Sequence, residues 1–224
     1  MDVQVSLKTL FQQCDPEQIA QGLELLQILP GLSRGLDLSN TSLNQMTLRG
    51  AILRWSRLIN AQLVQADLSD ADLQGAMLSK ANLSHAVLDR VNLRRARLIQ
   101  TRMTNVQMHG ACLRDAFLIR AQMTNVQMHG ACLRDAHLNE CILVSASLVG
   151  CDLSGASLPQ AELWKADLRD VDLSNADLRG ADLIGADLTG ANLTGVQLGG
   201  ARWDADTRWP ADFRLSRFAG PVRA

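Results

Sequence analysis

Aromatic side chains are scarce in this 224-residue chain, which has four Trp, four Phe and no Tyr. An ordinary globular core leans on rings for bulk, so this interior must be filled by smaller groups. No apolar run approaches the roughly 20 residues that cross a bilayer, and no basic-then-apolar leader is seen. A soluble, cytoplasmic protein without a membrane partner is expected. Cysteines number five, an odd count without a secretion signal, which suits reduced thiols better than a disulfide framework. Neither sign of charge prevails: the formal net charge is −1, which argues against a general polyanion binder and against direct contact with nucleic acid. A nucleophile elbow, a phosphate loop and zinc-ligand spacing are all missing, so no catalytic residue, cofactor or metal is expected.

Leu, by contrast, recurs with strict regularity. Leu or Met stands at every fifth position from Leu38 to Leu198, 33 times without a break, most often with Ala two residues before it. Ala66-Asp67-Leu68-Ser69-Asp70 and Ala191-Asn192-Leu193-Thr194-Gly195 are typical units. On a helix, turning about 100° per residue, such a spacing would spiral around the surface. Along one strand, an odd spacing would send successive Leu side chains to opposite faces. The chain must instead turn a corner after each unit and wind around its own axis as a stacked solenoid.

An internal duplication gives the number of sides. Residues 103 to 116, MTNVQMHGACLRDA, recur letter for letter at 123 to 136. Duplication of one whole coil is the simplest account of this offset of four units, so each coil has four sides and the units make slightly more than eight coils. At about 4.8 Å per coil the rod is on the order of 40 Å long.

The repeated A-D/N-L-x-x pattern resembles the pentapeptide-repeat family, with a cyanobacterial cast. The resemblance runs over residues 36–203 of the 224. It implies an all-β solenoid, a right-handed quadrilateral parallel β-helix. The central Leu and the small residue two before it point inward, and the other positions face solvent. Phe117 must then point out. Asp or Asn before the central residue (Asp67, Asp72, Asn82, Asn92, Asp152, Asp167, Asp172, Asp177, Asp182, Asp187, Asn192) is expected to bond corner amides, not to serve as a catalytic acid. Gly closing many units suits corners with unusual backbone angles. His109 lies above His129 and Cys112 above Cys132, but duplication alone produces that match, and the two columns are separated by a corner, so no metal site is expected. Cys141 and Cys151 take inward positions as stand-ins for Ala.

Both ends depart from the repeat. In residues 1–35, Asp15-Pro16-Glu17-Gln18 combines an N-cap, a first-turn Pro and a capping-box partner. Two short helices, covering the open first coil, are predicted there. In residues 204–224, Thr207-Arg208-Trp209-Pro210-Ala211-Asp212-Phe213 is similar to the T-x-F/W-P-x-x-F tail of many cyanobacterial family members, with Arg214-Leu215 where an acidic-Pro pair is common. Trp203, Trp209, Phe213 and Phe218 are expected to cover the last coil of a monomer. A C-terminal homodimer, as in gyrase-directed members of the family, is the alternative.

Charge singles out one region. From Asp89 to Asp135 eight Arg face three Asp, and from Ala136 to Gly200 nine acids face three bases. Three arginines, Arg94, Arg114 and Arg134, fall in one column, where they repel and need anions that Asp115 and Asp135 supply in part. On the adjoining side Arg97, Ile99, Phe117, Ile119 and Arg120 put apolar groups among arginines, the composition of a protein-binding patch. The expected function is a non-catalytic scaffold for an unidentified protein partner. The alternative is a DNA mimic that binds DNA gyrase or topoisomerase IV, as quinolone-resistance members do.

Overall fold

Corners come from one repeated backbone choice. The computed structural model describes residues 35–214, and every fifth residue from Gly35 to Gly200 has a positive φ, between 54° and 76°. Such a φ at the third residue of a four-residue turn marks the type II turn. The turn is closed by the first N–H of the next unit, as where Ala61 donates to the Leu58 carbonyl at 3.1 Å. Parallel bridges then join second positions one coil apart, from Asp37 with Arg57 to Asp182 with Arg202. The partner always stands four units further along, so four units complete one coil of a parallel β-helix.

In chain order, face 1 has its centres at 38, 58 and so on to 198. Face 2 starts at 43, face 3 at 48 and face 4 at 53. Each centre from Leu38 to Leu198 is at most 8% exposed, as is each small residue beside it. Losing one such Leu to Ala would cost about 2–5 kcal/mol, since the stacked coils cannot collapse into the space. Where a polar group replaces Ala on the inside it finds a main-chain partner. Thr101 Oγ1 donates to the Leu78 carbonyl at 3.0 Å, Cys141 Sγ to Leu118 at 2.7 Å and Cys151 Sγ to Met128 at 2.8 Å.

Hydrogen-bond accounting explains the rest of the repeat. The first N–H of a unit closes the turn, the second reaches one coil back, and the third and fifth reach one coil forward. Around unit 66–70 these are Ala66 to Leu63, Asp67 to Met46, Leu68 to Val87 and Asp70 to Asp89. Only the fourth N–H lacks a main-chain acceptor. An Asp or Asn at the second position supplies one: Asp67 Oδ1 accepts from Ser69 N–H at 2.9 Å, and Asp172 Oδ1 from Ser174 N–H at 2.9 Å. All eleven acidic or amide side chains expected to bond the corners do so.

At the C-terminal end Trp203 takes a central position, and three residues instead of two precede the next unit, so Arg208 bridges Asp187 one residue out of step. Asp204 fills the gap, accepting from the N–H groups of Gly185, Asp206 and Thr207 at 3.0–3.2 Å. Trp209 meets Trp203 edge-on at 5.6 Å and stacks on Phe213 at 5.2 Å, and both Trp209 and Phe213 pack against the core. Among the described residues there is no helix. The helices expected before residue 36, and Phe218, lie outside the described residues.

Candidate functional site

Positions two, four and five of each unit make the surface, and the eight residues of the expected patch gather around face 1. Arg97 and Phe117 are second-position neighbours in one column, which runs from Arg57 through Met77, Arg97 and Phe117 to His137. Phe117 is 37% exposed, and its ring stacks on His137 with centroids 4.7 Å apart and planes 11° off parallel. Ile99 and Ile119 lie half-buried where face 1 turns into face 2. Arg94, Arg114 and Arg134 stand on the opposite edge, where face 4 turns into face 1.

Charge partners differ from those read off sequence neighbours. Asp115 turns one coil back to Arg95, at 3.7 Å, instead of serving Arg114 beside it. On face 4 a fourth-position Arg pairs with the second-position acid of the next coil: Arg54 with Asp72, and Arg134 with Asp152 at 3.9 Å. The same step from Arg94 and Arg114 arrives at Cys112 and Cys132. Among the described residues no carboxylate comes within 4.0 Å of the Arg94, Arg97 or Arg114 guanidinium, and Arg114 Nε is buried without a hydrogen-bond partner. Arg120 is committed otherwise. It grips Glu140 through two nitrogens at 2.8 and 3.2 Å, and that contact raises its pKa.

Two exposed rings were missed in the sequence. Trp55 is 43% exposed at a fifth position on the same edge as Arg95, and its ring occupies the space over Gly75 that an added Cβ would take. Tabulating fifth positions coil by coil would have placed it there. Trp164 is on the far edge, between faces 2 and 3, with Lys165 Nζ 4.3 Å above its ring.

The imidazoles of His109 and His129 lie 4.9 Å apart and tilted by 53°. Among the described residues no group of three or more metal-binding side chains converges. A cleft of about 670 Å³ opens at the C-terminal end between Ala191–Val196 and Pro210–Arg214. It holds no concentration of titratable groups. No helix of the described residues is long and apolar enough to cross a membrane.

These features agree with the comparisons. No curated protein matches the sequence. Among solved structures the fold is similar to HetL of the cyanobacterium Nostoc sp. strain PCC 7120, a pentapeptide repeat protein involved in heterocyst differentiation regulation. The two are 32% identical with a TM-score of 0.54, over 75% of this chain and 81% of HetL. It is also similar to a trypsin-treated variant of QnrB1, a plasmid-mediated fluoroquinolone resistance protein, at 22% identity and a TM-score of 0.52, over 77% of this chain and 84% of the other. That second likeness shows the fold alone. The sequence model of pentapeptide repeats matches in eight copies, over residues 37–75, 66–105, 101–139, 136–175, 146–183 and 166–202. With its five-residue corners, inward Leu ladders and that match over most of its length, this chain belongs to the pentapeptide-repeat family.

Proposed function

We propose that this chain is a non-catalytic protein-binding scaffold whose contact surface is face 1 with its two edges. One observation carries the reading: the exposed Phe117–His137 stack is rimmed by Arg94, Arg97 and Arg114, none of them with an acid within 4.0 Å among the described residues. Arginines elsewhere on the rod are largely neutralised by neighbours. Such pairs are worth about 0–1 kcal/mol at a surface and leave little charge to offer. Unpaired guanidinium groups beside an apolar patch favour an acidic partner with an apolar anchor. HetL, 32% identical, is described as involved in a regulatory process, a role that a binding rod suits.

Changing Arg94, Arg114 and Arg134 together to Glu tests this. Folding, read by circular dichroism, should be unchanged, while capture of a partner that binds the natural protein should be lost. Unchanged capture would remove the patch.

A topoisomerase-binding DNA mimic is the second reading, suggested by the acid-rich C-terminal coils. Mimicry needs carboxylates held outward like phosphates, whereas Asp152, Asp167, Asp172, Asp177, Asp182 and Asp187 each spend an oxygen on their own turn amide. A gyrase supercoiling assay separates the two readings: inhibition or protection at a several-fold excess of protein would favour the mimic.

A further inference from the structure

Four cysteines lie in the described region, in two unlike settings. Cys141 and Cys151 point inward, donate their S–H to carbonyls, and have thiols pushed up to about 12 by burial. They are inert at neutral pH. Cys112 and Cys132 point outward on face 4, half-buried, as direct bridge neighbours in adjacent coils. Main-chain bonds clamp them on both sides, Cys132 N–H to the Ala111 carbonyl at 2.9 Å and Leu113 N–H to the Cys132 carbonyl at 2.7 Å.

Their column explains what surrounds them. Second positions on face 4 read Asp72, Asn92, Cys112, Cys132, Asp152 and Asp172. Where that position is Asp72 or Asp152, the fourth-position Arg of the coil before pairs with it. Arg94 and Arg114 stand in that same relation to the two cysteines, so each thiol occupies a place where an arginine expects an anion. His109 and His129 lie at the preceding corner. Against this stand Asp152, directly beside Cys132 in the next coil, and Asp115 and Asp135 at the following corner. Cys112 has Asn92 and Cys132 as its column neighbours, so along the column no carboxylate adjoins it, whereas Asp152 adjoins Cys132.

We propose that Cys112 and Cys132 form a reversible redox site that closes to a disulfide between adjacent coils in exchange with a small-molecule disulfide of the glutathione class. The Cys112 thiolate attacks one sulfur of the incoming disulfide, breaking its S–S bond and releasing one small thiolate. The Cys132 thiolate then attacks the Cys112 sulfur of the mixed disulfide and releases the second. Two electrons pass from the protein dithiol to the small disulfide, and the two cysteine protons end on the two small thiols. Neighbouring Cα atoms in a parallel ladder are about 4.8 Å apart, inside the roughly 4.4–6.8 Å range of disulfides. The Cβ atoms must draw closer, toward about 3.8 Å, against the clamped backbone. A bond closed under that constraint reopens readily in the presence of thiols, which makes it a switch and not a permanent staple. Closure would also place a bridge at the two column positions that Asp72 and Asp152 fill in other coils.

The test treats the full-length, reduced protein with oxidised glutathione and maps unreduced tryptic peptides by mass spectrometry. Cleavage after Arg102 and Arg120 yields peptides that differ by Ala121-Gln122, so the duplicated sequences remain distinguishable. A Cys112–Cys132 bridge within one chain is expected, with Cys141 and Cys151 still free, and it should reverse with reduced glutathione. Cys112→Ser and Cys132→Ser should each stop at a mixed disulfide on the remaining thiol, and Arg94→Gln with Arg114→Gln should slow the reaction several-fold. Stable mixed disulfides on both cysteines of the natural protein, a link to Cys14, or a link between chains would overturn the proposal.

Discussion

Among the described residues, twenty-two side chains other than Gly hold a left-handed φ at the corners, alongside twelve glycines. Each non-Gly corner carries about 1 kcal/mol of backbone cost, which the four-sided coil makes unavoidable. Glycine relieves that cost, and at Gly75 it does more, because the ring of Trp55 lies where a Cβ would go. Around Gly130 nothing lies within 4 Å of the same point. Gly130→Ala should therefore lose only the backbone share, about 1 kcal/mol, whereas Gly75→Ala should lose roughly twice that. Denaturant midpoints measure both. Adding Trp55→Ala should bring Gly75→Ala back to the cost of Gly130→Ala, and equal costs with Trp55 present would rule out the stacking. Corner glycines were readable from the sequence because their spacing matches the repeat. Trp55 was not, because its significance depends on a residue one coil away.

Turns differ along the rod in how they satisfy their fourth amide. Eleven consecutive units, with second positions from Arg97 to Ser147, have no Asp or Asn there, whereas the units beyond rely on carboxylates. Bonds from Ser174 N–H and its hydroxyl hold the Asp172 carboxyl below its ordinary 3.8, and the Arg169 and Arg179 guanidinium groups do the same for Asp167 and Asp177. Burial pushes Asp187 up, but the Thr189 hydroxyl and amide outweigh it and leave it lowered. For Asp204 the Gly185 N–H is the largest influence, again downward. A carboxyl depressed in the folded state contributes stability that is complete above its unfolded pKa and is lost as pH falls through the folded value. Below about pH 4 the C-terminal coils should loosen while the stretch from 97 to 147 holds. Hydrogen exchange followed by mass spectrometry, corrected for intrinsic rates, would show protection fading first in turns after residue 165. Asp172→Asn keeps an acceptor without a titrating proton and should blunt the local effect. Uniform loss along the rod would contradict this. The acceptors could be read from the A-D/N-L pattern. Arginine partners could not, since Arg90 chooses Asp70 and Arg120 chooses Glu140 across a full coil, while Arg169 and Arg179 turn to acids within their own units.

At the scale of the molecule, period five set the interior and period twenty set the columns, and both were visible in the letters because every coil repeats the same contacts. The extra residue in the C-terminal corner at 204–206 was not, because it breaks the period and is held by the bonds that Asp204 accepts. The two periods can be separated by deletion. Removing residues 103–122 takes out one coil and joins Arg102 to Met123 in phase, so the rod should fold and shorten by about 4.8 Å in small-angle scattering. Removing only residues 103–107 also preserves the inward Leu and Met, but it rotates everything downstream by one face. Arg94, Arg97 and Ile99 then stay in place while Arg114, Phe117, Ile119, Arg120 and Arg134 move a quarter turn. That protein should still fold, since each unit presents the same backbone to the next coil. It retains all eight residues of the contact surface and should nevertheless lose partner capture, because binding depends on their shared face and not on their presence in the chain. Full capture by the shorter deletion would refute the surface, and failure of the whole-coil deletion to fold would refute the four-sided coil.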